Sequence, residues 1–108
     1  MPQTYSPTST IFDPLENKFE EALEFYTKAI DLDVKDNKKM AVYYANRAFA
    51  NIKLENYGFA IEDATQAINK DGTYAKAYYR RASALFALGK YKNALANFKR
   101  VRNLPSVV

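Results

Sequence analysis

Ala41-Val-Tyr-Tyr-Ala-Asn-Arg-Ala-Phe-Ala-Asn-Ile-Lys-Leu-Glu-Asn-Tyr57 and Ala75-Lys-Ala-Tyr-Tyr-Arg-Arg-Ala-Ser-Ala-Leu-Phe-Ala-Leu-Gly-Lys-Tyr91 are one pattern written twice, 34 residues apart. Carried over residues 41–74 and 75–108, the shift gives nine identities: Ala41/Ala75, Tyr44/Tyr78, Arg47/Arg81, Ala48/Ala82, Ala50/Ala84, Leu54/Leu88, Tyr57/Tyr91, Ala60/Ala94 and Asn69/Asn103. A shift of 38 relates Phe19–Asp33 to Tyr57–Asp71 through Ala22/Ala60, Glu24/Glu62, Thr27/Thr65, Ala29/Ala67, Ile30/Ile68 and Asp33/Asp71. Four residues around Asn37–Met40 are therefore inserted once into an otherwise constant period. Self-similarity of this length marks a stack of small units, none of which can bury its apolar face alone.

The unit is helical. The chain has three glycines and four prolines, and Pro2, Pro7 and Pro14 fall in its first fourteen residues, so the rest is nearly free of breakers. Runs of β-prone residues are missing as well, and 34 residues with a short turn inside make one antiparallel helix pair. Helices are predicted over 14–33, 38–53, 57–70, 74–88 and 91–103, with turns at Val34–Asn37, Leu54–Asn56, Asp71–Thr73 and Gly89–Lys90. Asp71-Gly72 suits a helix stop, and Thr73 is expected to cap the next start. Asp13-Pro14-Leu15-Glu16 reads as an earlier start: Asp13 caps, Pro14 takes the first position and Glu16 reaches back. Leu15, Phe19, Ala22, Leu23 and Tyr26 continue from it as one apolar stripe. Asn17-Lys18 is too weak a turn signal to interrupt them, so one unbroken helix of about 20 residues is expected there. Ala48, Ala60, Ala82 and Ala94 are predicted to let helices approach closely, with Tyr44, Tyr57, Tyr78, Tyr91 and Phe98 filling the space between pairs.

Composition narrows the chemistry. At 108 residues, 48% apolar and 26% charged, the chain fits one globular domain. It has no cysteine and no histidine, which removes thiol nucleophiles, disulfides, zinc-finger ligand sets and imidazole acid–base chemistry. The adjacent acids Glu20/Glu21 and Glu62/Asp63 read as solvated helix faces rather than a catalytic pair. No catalytic residue, metal ligand or cofactor is assigned. No apolar run approaches the ~20 residues of a membrane span, and no signal-peptide pattern opens the chain, so a cytoplasmic or also nuclear location is expected. The net charge of +4 hides a gradient. Residues 1–36 hold eight acids and three lysines, whereas 73–108 hold eight bases and no acid. A basic end favours an anionic partner, although the same charge could serve solubility alone.

The pattern resembles the tetratricopeptide repeat, a 34-residue unit with a large aromatic, small residues and a late alanine at fixed offsets. Tyr44 and Tyr78 match the early aromatic, Ala48 and Ala82 the small position, and Ala60 and Ala94 the later alanine; Arg47 and Arg81 replace the usual leucine. That substitution is characteristic of co-chaperone members. Val42-Tyr-Tyr-Ala-Asn-Arg-Ala48, Tyr57-Gly-Phe-Ala-Ile-Glu-Asp-Ala-Thr-Gln-Ala-Ile68 and Tyr74-Ala-Lys-Ala-Tyr-Tyr-Arg-Arg81 resemble the N-terminal repeat domains of the protein serine/threonine phosphatase 5 family. The resemblance covers about residues 19–104. It implies an all-α, short right-handed solenoid of about two and a half repeats and five helices over 14–104. The second helix of the first repeat would take 14–36, and full repeats 41–74 and 75–108. Residues 1–13 are expected to be irregular.

In such co-chaperone repeats, a two-carboxylate clamp grips the acidic Glu-Glu-Val-Asp tails of the seventy- and ninety-kilodalton heat-shock proteins. The resemblance places Asn46, Lys76 and Arg80 in it. Asn46 and Arg80 are one period apart, and Lys76 lies one turn before Arg80, so an amide, an ammonium and a guanidinium offer N–H donors suited to carboxylates. Phe49, Ile52 and Lys53 would line the groove beside them. The clamp's other lysine and asparagine fall, by register, on Pro7 and Ile11, which leaves three of five clamp residues. Losing one partner of a desolvated charge pair costs ~2–5 kcal/mol, so tail binding is expected to be weak. The resemblance also implies a regulatory contact with a phosphatase catalytic domain, whose own metal centre needs histidines absent from this sequence.

Two other readings compete: a nucleic-acid or anionic-surface binder using the basic half with Tyr78, Tyr79 and Tyr91 stacking, and a truncated product without binding activity. For the ends, Phe19, Leu23 and Tyr26 on one side and Val101 and Leu104 on the other are expected to lie uncovered. Low thermal stability or self-association would follow.

Overall fold

The computed structural model describes residues 14–105, with side chains from Lys18 onward. Five helices follow one another within that range: α1 Pro14–Asp31, α2 Asn37–Lys53, α3 Tyr57–Lys70, α4 Ala75–Ala87 and α5 Tyr91–Asn103. The readings made for residues 1–13, including the Asp13 cap and the positions of Pro7 and Ile11, lie outside the described residues, as do the side chains of Leu15 and Glu16.

α1 runs through Asn17-Lys18 without a break. It stops two residues short of the predicted Asp33, because Asp33 itself takes a left-handed conformation at φ 51°. Its amide closes on the Ile30 carbonyl at 2.9 Å. α2 begins one residue earlier than predicted because Asp36 caps it, its carboxylate accepting the Lys39 amide at 3.1 Å. The turns after α2 and α4 are copies of each other. Asn56 N–H reaches the Asn51 carbonyl and Glu55 N–H the Ile52 carbonyl; one period on, Lys90 reaches Leu85 and Gly89 reaches Phe86. This double closure requires a left-handed residue at its centre. Gly89 supplies it at φ 80°, whereas Glu55 adopts φ 63° despite its Cβ.

The expected Thr73 cap does not form. Asp71 accepts both the Thr73 amide at 3.0 Å and the Thr73 hydroxyl at 2.7 Å. The hydroxyl that would have capped α4 is thus committed backwards, and the cap position passes to Tyr74 without a side-chain bond. These two bonds, the hydroxyl's foremost, hold the Asp71 carboxyl below the usual aspartate range.

Packing is dominated by alanine. Ala48, Ala60, Ala64 and Ala84 form one buried cluster with Ile52, Tyr57 and Ile61 against it; Ala41, Ala45, Ala67 and Ala77 form another beside Tyr44, Ile68 and Tyr74. Ala82 and Ala94 are buried too. A methyl at each crossing lets neighbouring helices approach closely. α2 touches α1, α3 and α4, and α4 touches α2, α3 and α5, whereas α1, α3 and α5 do not touch one another. Close contact on one side and separation on the other curve the stack, leaving α2 and α4 as its inner layer.

Several aromatic and acidic residues depart from expectation. Tyr78 is buried, but Tyr91 is 62% exposed and meets only the Phe86 ring at 5.1 Å, because no described helix lies over that face of α5. Phe19, Leu23, Tyr26, Val101 and Leu104 are half-buried rather than uncovered. Phe25, Leu32, Phe59, Tyr79, Phe86, Leu88, Tyr91 and Leu95 are the large apolar residues left exposed among the described ones. Asp63 is not on a solvated face either. It is buried, and Arg47 grips it with Nε at 2.9 Å and the terminal nitrogen at 2.8 Å, while Asn51 adds a bond at 3.1 Å. The pair raises the Arg47 guanidinium above its ordinary value through the Asp63 hydrogen bond, against the opposing effect of burial. Glu62 beside it is exposed.

Candidate functional site

The inner layer carries the polar residues singled out above. α2 contributes Asn46, Phe49, Ile52 and Lys53; α4 contributes Lys76 and Arg80. Helical periodicity puts Asn46, Phe49 and Lys53 on one face of α2, and Lys76 and Arg80 on one face of α4.

Phe49 is the floor of this cluster. The Arg80 guanidinium lies 4.2 Å from its ring centroid, close enough for strong cation–π contact, and Tyr79 stands on a second side at 5.6 Å. Lys53 Nζ is 5.4 Å from the same Phe49 ring. Phe19 of α1 meets the ring edge-on, at 6.0 Å and 85°. Arg80 is thus oriented by aromatic rings, and its guanidinium donates to no carboxylate or carbonyl among the described residues. The other arginines of the inner layer differ. Arg47 is tied to Asp63 and Thr27, and Arg81 to Asn97 at 2.9 Å and Thr65 at 3.2 Å. Lys76 is exposed and makes no ion pair among the described residues. The field of Arg80 extends to Tyr74: burial pushes that phenol up, and the Arg80 charge works against the shift.

Asn46 is half-buried and bonds neither Lys76 nor Arg80. Its Nδ2 donates to the Tyr26 hydroxyl at 3.2 Å, across the α1–α2 contact. Ile52 leans on the alanine cluster of Ala48, Ala60, Ala64 and Ala84, so much of its surface belongs to the core. The structure therefore joins Arg80, Phe49 and Lys53 directly, sets Lys76 one turn away, and links Asn46 to α1. Sequence reading missed Tyr26, Phe19 and Tyr79 as members of this surface. Tyr26 carried a usable signal, since its register equivalents are Ala64 and Phe98, neither of which has a hydroxyl.

The surface has cations on aromatic rings and no carboxylate of its own among the residues named, and no three acidic side chains converge as for a metal among the described residues. Two clefts on the other side of α2, each lined by Arg47, Glu62 and Asp63, contain a carboxylate already saturated by Arg47 and Asn51. Chemically, the inner surface suits an extended anionic ligand.

Stacked antiparallel helix pairs with this cationic inner face define a helical-repeat scaffold. The family model for the tetratricopeptide repeat matches residues 15–36 and 75–101. Human serine/threonine-protein phosphatase 5 is 46% identical over 83 residues, 77% of this chain and 16% of that protein. The Hsp70/Hsp90 co-chaperone cns1 of Schizosaccharomyces pombe is 43% identical over 77 residues, 71% of this chain and 22% of that one. The second TPR of Spaghetti (RPAP3), solved bound to the HSP90 peptide SRMEEVD, superposes with a TM-score of 0.75 at 42% identity, covering 84% of this chain and 76% of that one. The chain belongs to the tetratricopeptide repeat family. It spans only about a sixth of the length of the phosphatase, in the repeat region and not the catalytic domain.

Proposed function

We propose that this chain is a non-catalytic, co-chaperone-type interaction module that binds the acidic C-terminal tail of a heat-shock protein 90 or 70. Asn46, Lys76 and Arg80 take the carboxylates, and Phe49, Ile52 and Lys53 take the residues upstream. The observation that carries the reading is Arg80: a guanidinium laid on Phe49, with its donors uncommitted, one turn from Lys76. An arginine held this way has lost much of its rotamer freedom before a ligand arrives, so less entropy is lost on binding. The relatives agree in kind, one named as an Hsp70/Hsp90 co-chaperone and one solved on an HSP90 tail peptide. A cytoplasmic or nuclear location fits such a partner.

The test is calorimetric titration with SRMEEVD as free acid and as C-terminal amide. The free acid should bind weakly, with Kd near ~1 mM or somewhat below. Amidation should weaken it by about 10-fold or more, because it removes the charge that Arg80 and Lys76 face. Arg80→Ala should cost the acid a similar factor, and Asn46→Ala less. Equal affinity for acid and amide would identify a generic basic surface instead, since such a surface does not read one terminal charge.

A further inference from the structure

Tyr26 stands on α1, outside the inner layer, yet its hydroxyl reaches Asn46 at 3.2 Å. The repeat frame itself does not need that hydroxyl. One unit on, the same position is Ala64, which is fully buried; two units on it is Phe98, whose ring meets Tyr79 at 5.8 Å. Both pack without a polar group, and Arg80, the register equivalent of Asn46, has no bond to Ala64. The Tyr26–Asn46 bond is thus a local addition to the packing.

Its donor count is informative. A phenol carries one O–H donor and two acceptor lone pairs, and an asparagine amide nitrogen carries two N–H donors. Here the phenol oxygen accepts one Asn46 N–H. Its own O–H finds no acceptor among the described residues, and neither does the second Asn46 N–H. Both side chains are half-buried and so reachable from solvent. The bond ties the amide nitrogen to the phenol, which leaves the second Asn46 N–H beside the phenol O–H. Two uncommitted donors therefore stand about one hydrogen-bond length apart. They lie on the face of α2 that carries Phe49 one turn away, where Arg80 rests.

We propose that Tyr26 is a further carboxylate-binding residue, acting as a pair with Asn46: the phenol orients the amide and donates its own O–H to the same ligand. This rests on the tail-binding reading above and adds a donor from α1 that the register did not assign. In a surface whose other donors are Lys76 and Arg80, a neutral O–H and N–H pair supplies direction where the cations supply charge.

The experiment uses the full chain and SRMEEVD as free acid and as amide, with Tyr26→Phe, Asn46→Ala, the double variant and Arg80→Ala. Tyr26→Phe keeps the ring, so the thermal midpoint should hold. Affinity for the free acid should fall by about 10-fold, the scale of one hydrogen bond to a charged group, while the amide is unaffected. The double variant should lose less than the product of the two single losses, because each residue acts through the other. If Arg80→Ala weakens the acid and Tyr26→Phe binds like the unaltered chain, the Tyr26 role is wrong and tail binding stands. If Tyr26→Phe weakens acid and amide equally, the hydroxyl acts on the fold, and the proposal is also wrong. If the unaltered chain does not distinguish acid from amide, tail binding fails, and this proposal with it.

Discussion

Arg47 and Arg81 hold the same place in consecutive repeats and meet different partners there. Arg47 faces Asp63, a charge, at 2.9 and 2.8 Å; Arg81 faces Asn97, a neutral amide, at 2.9 Å. In both, Nη1 reaches a threonine hydroxyl from the preceding helix pair, Thr27 or Thr65. The shared requirement is an acceptor for the guanidinium where it enters the packed interface; the negative charge is an extra of the earlier repeat. Burying Asp63 costs desolvation that its three donors must offset. Asp63→Ala should therefore destabilise by about 2–3 kcal/mol, leaving Arg47 Nε and Nη2 and the Asn51 amide without their acceptor. Asp63→Asn, which copies the Asn97 arrangement, should cost less than half of that. Urea unfolding midpoints at fixed slope measure both, and equal losses would mean that the charge itself is what the site needs.

Among the elements, the turn between α3 and α4 is where ionisation matters. Asp71 stops α3, receives the Thr73 amide and hydroxyl, and pairs with Lys38 at 3.6 Å across to α2. Next to it, the Tyr78 hydroxyl donates to the Gly72 carbonyl at 2.9 Å, so turn and helix are fastened together. The folded state lowers the Asp71 pKa. Its contribution is then fully present above the unfolded value near ~3.9, and is lost as pH falls through the lower folded value. Asp71→Ala should narrow the gap to the unaltered chain as pH drops from about 5 towards 2, read as thermal midpoint against pH. A gap independent of pH would show that the carboxylate's charge is not what holds the turn. The same turn shows what sequence can and cannot fix. Its position was legible from Asp71-Gly72, because those residues stop helices by their own backbone preferences. The Thr73 role was not, since one hydroxyl can serve either of two neighbours and only geometry chooses. For the candidate binding surface, Asn46, Lys76 and Arg80 came from the family resemblance, with the period setting Asn46 and Arg80 in the same register. Phe49 as the seat of Arg80, and Tyr26 as the partner of Asn46, depend on contacts between helices, which no one-dimensional register contains.

For the molecule as a whole, contacts run only between neighbours and across the inner layer. Among the described helices, α1 is held by α2 alone and α5 by α4 alone, whereas α2 and α4 each meet three. Stability in such an array is close to a sum of interface contributions, so helices with one interface open at lower free energy than those with three. The end helices also bury less. Phe25 of α1 and Leu32 just after it are 63% and 78% exposed, and α5 leaves Tyr91 and Leu95 exposed and fully buries only Ala94. In the middle, Met40 and a series of alanines are removed from water almost entirely. Hydrogen exchange should therefore be graded. Amides of α2, α3 and the first turns of α4 should be the slowest, near the global unfolding free energy; those of α1 and α5 should exchange through partial opening at least ~10-fold faster, about 1.4 kcal/mol lower. A free-acid tail peptide should then slow α1 as well as α2 and α4, because Tyr26 and Phe19 join α1 to the binding face. Mass-resolved exchange with and without SRMEEVD reads both effects together. Uniform protection across the five helices would mean that the stack unfolds as one cooperative unit, and protection confined to α2 and α4 on adding peptide would remove α1 from the binding surface.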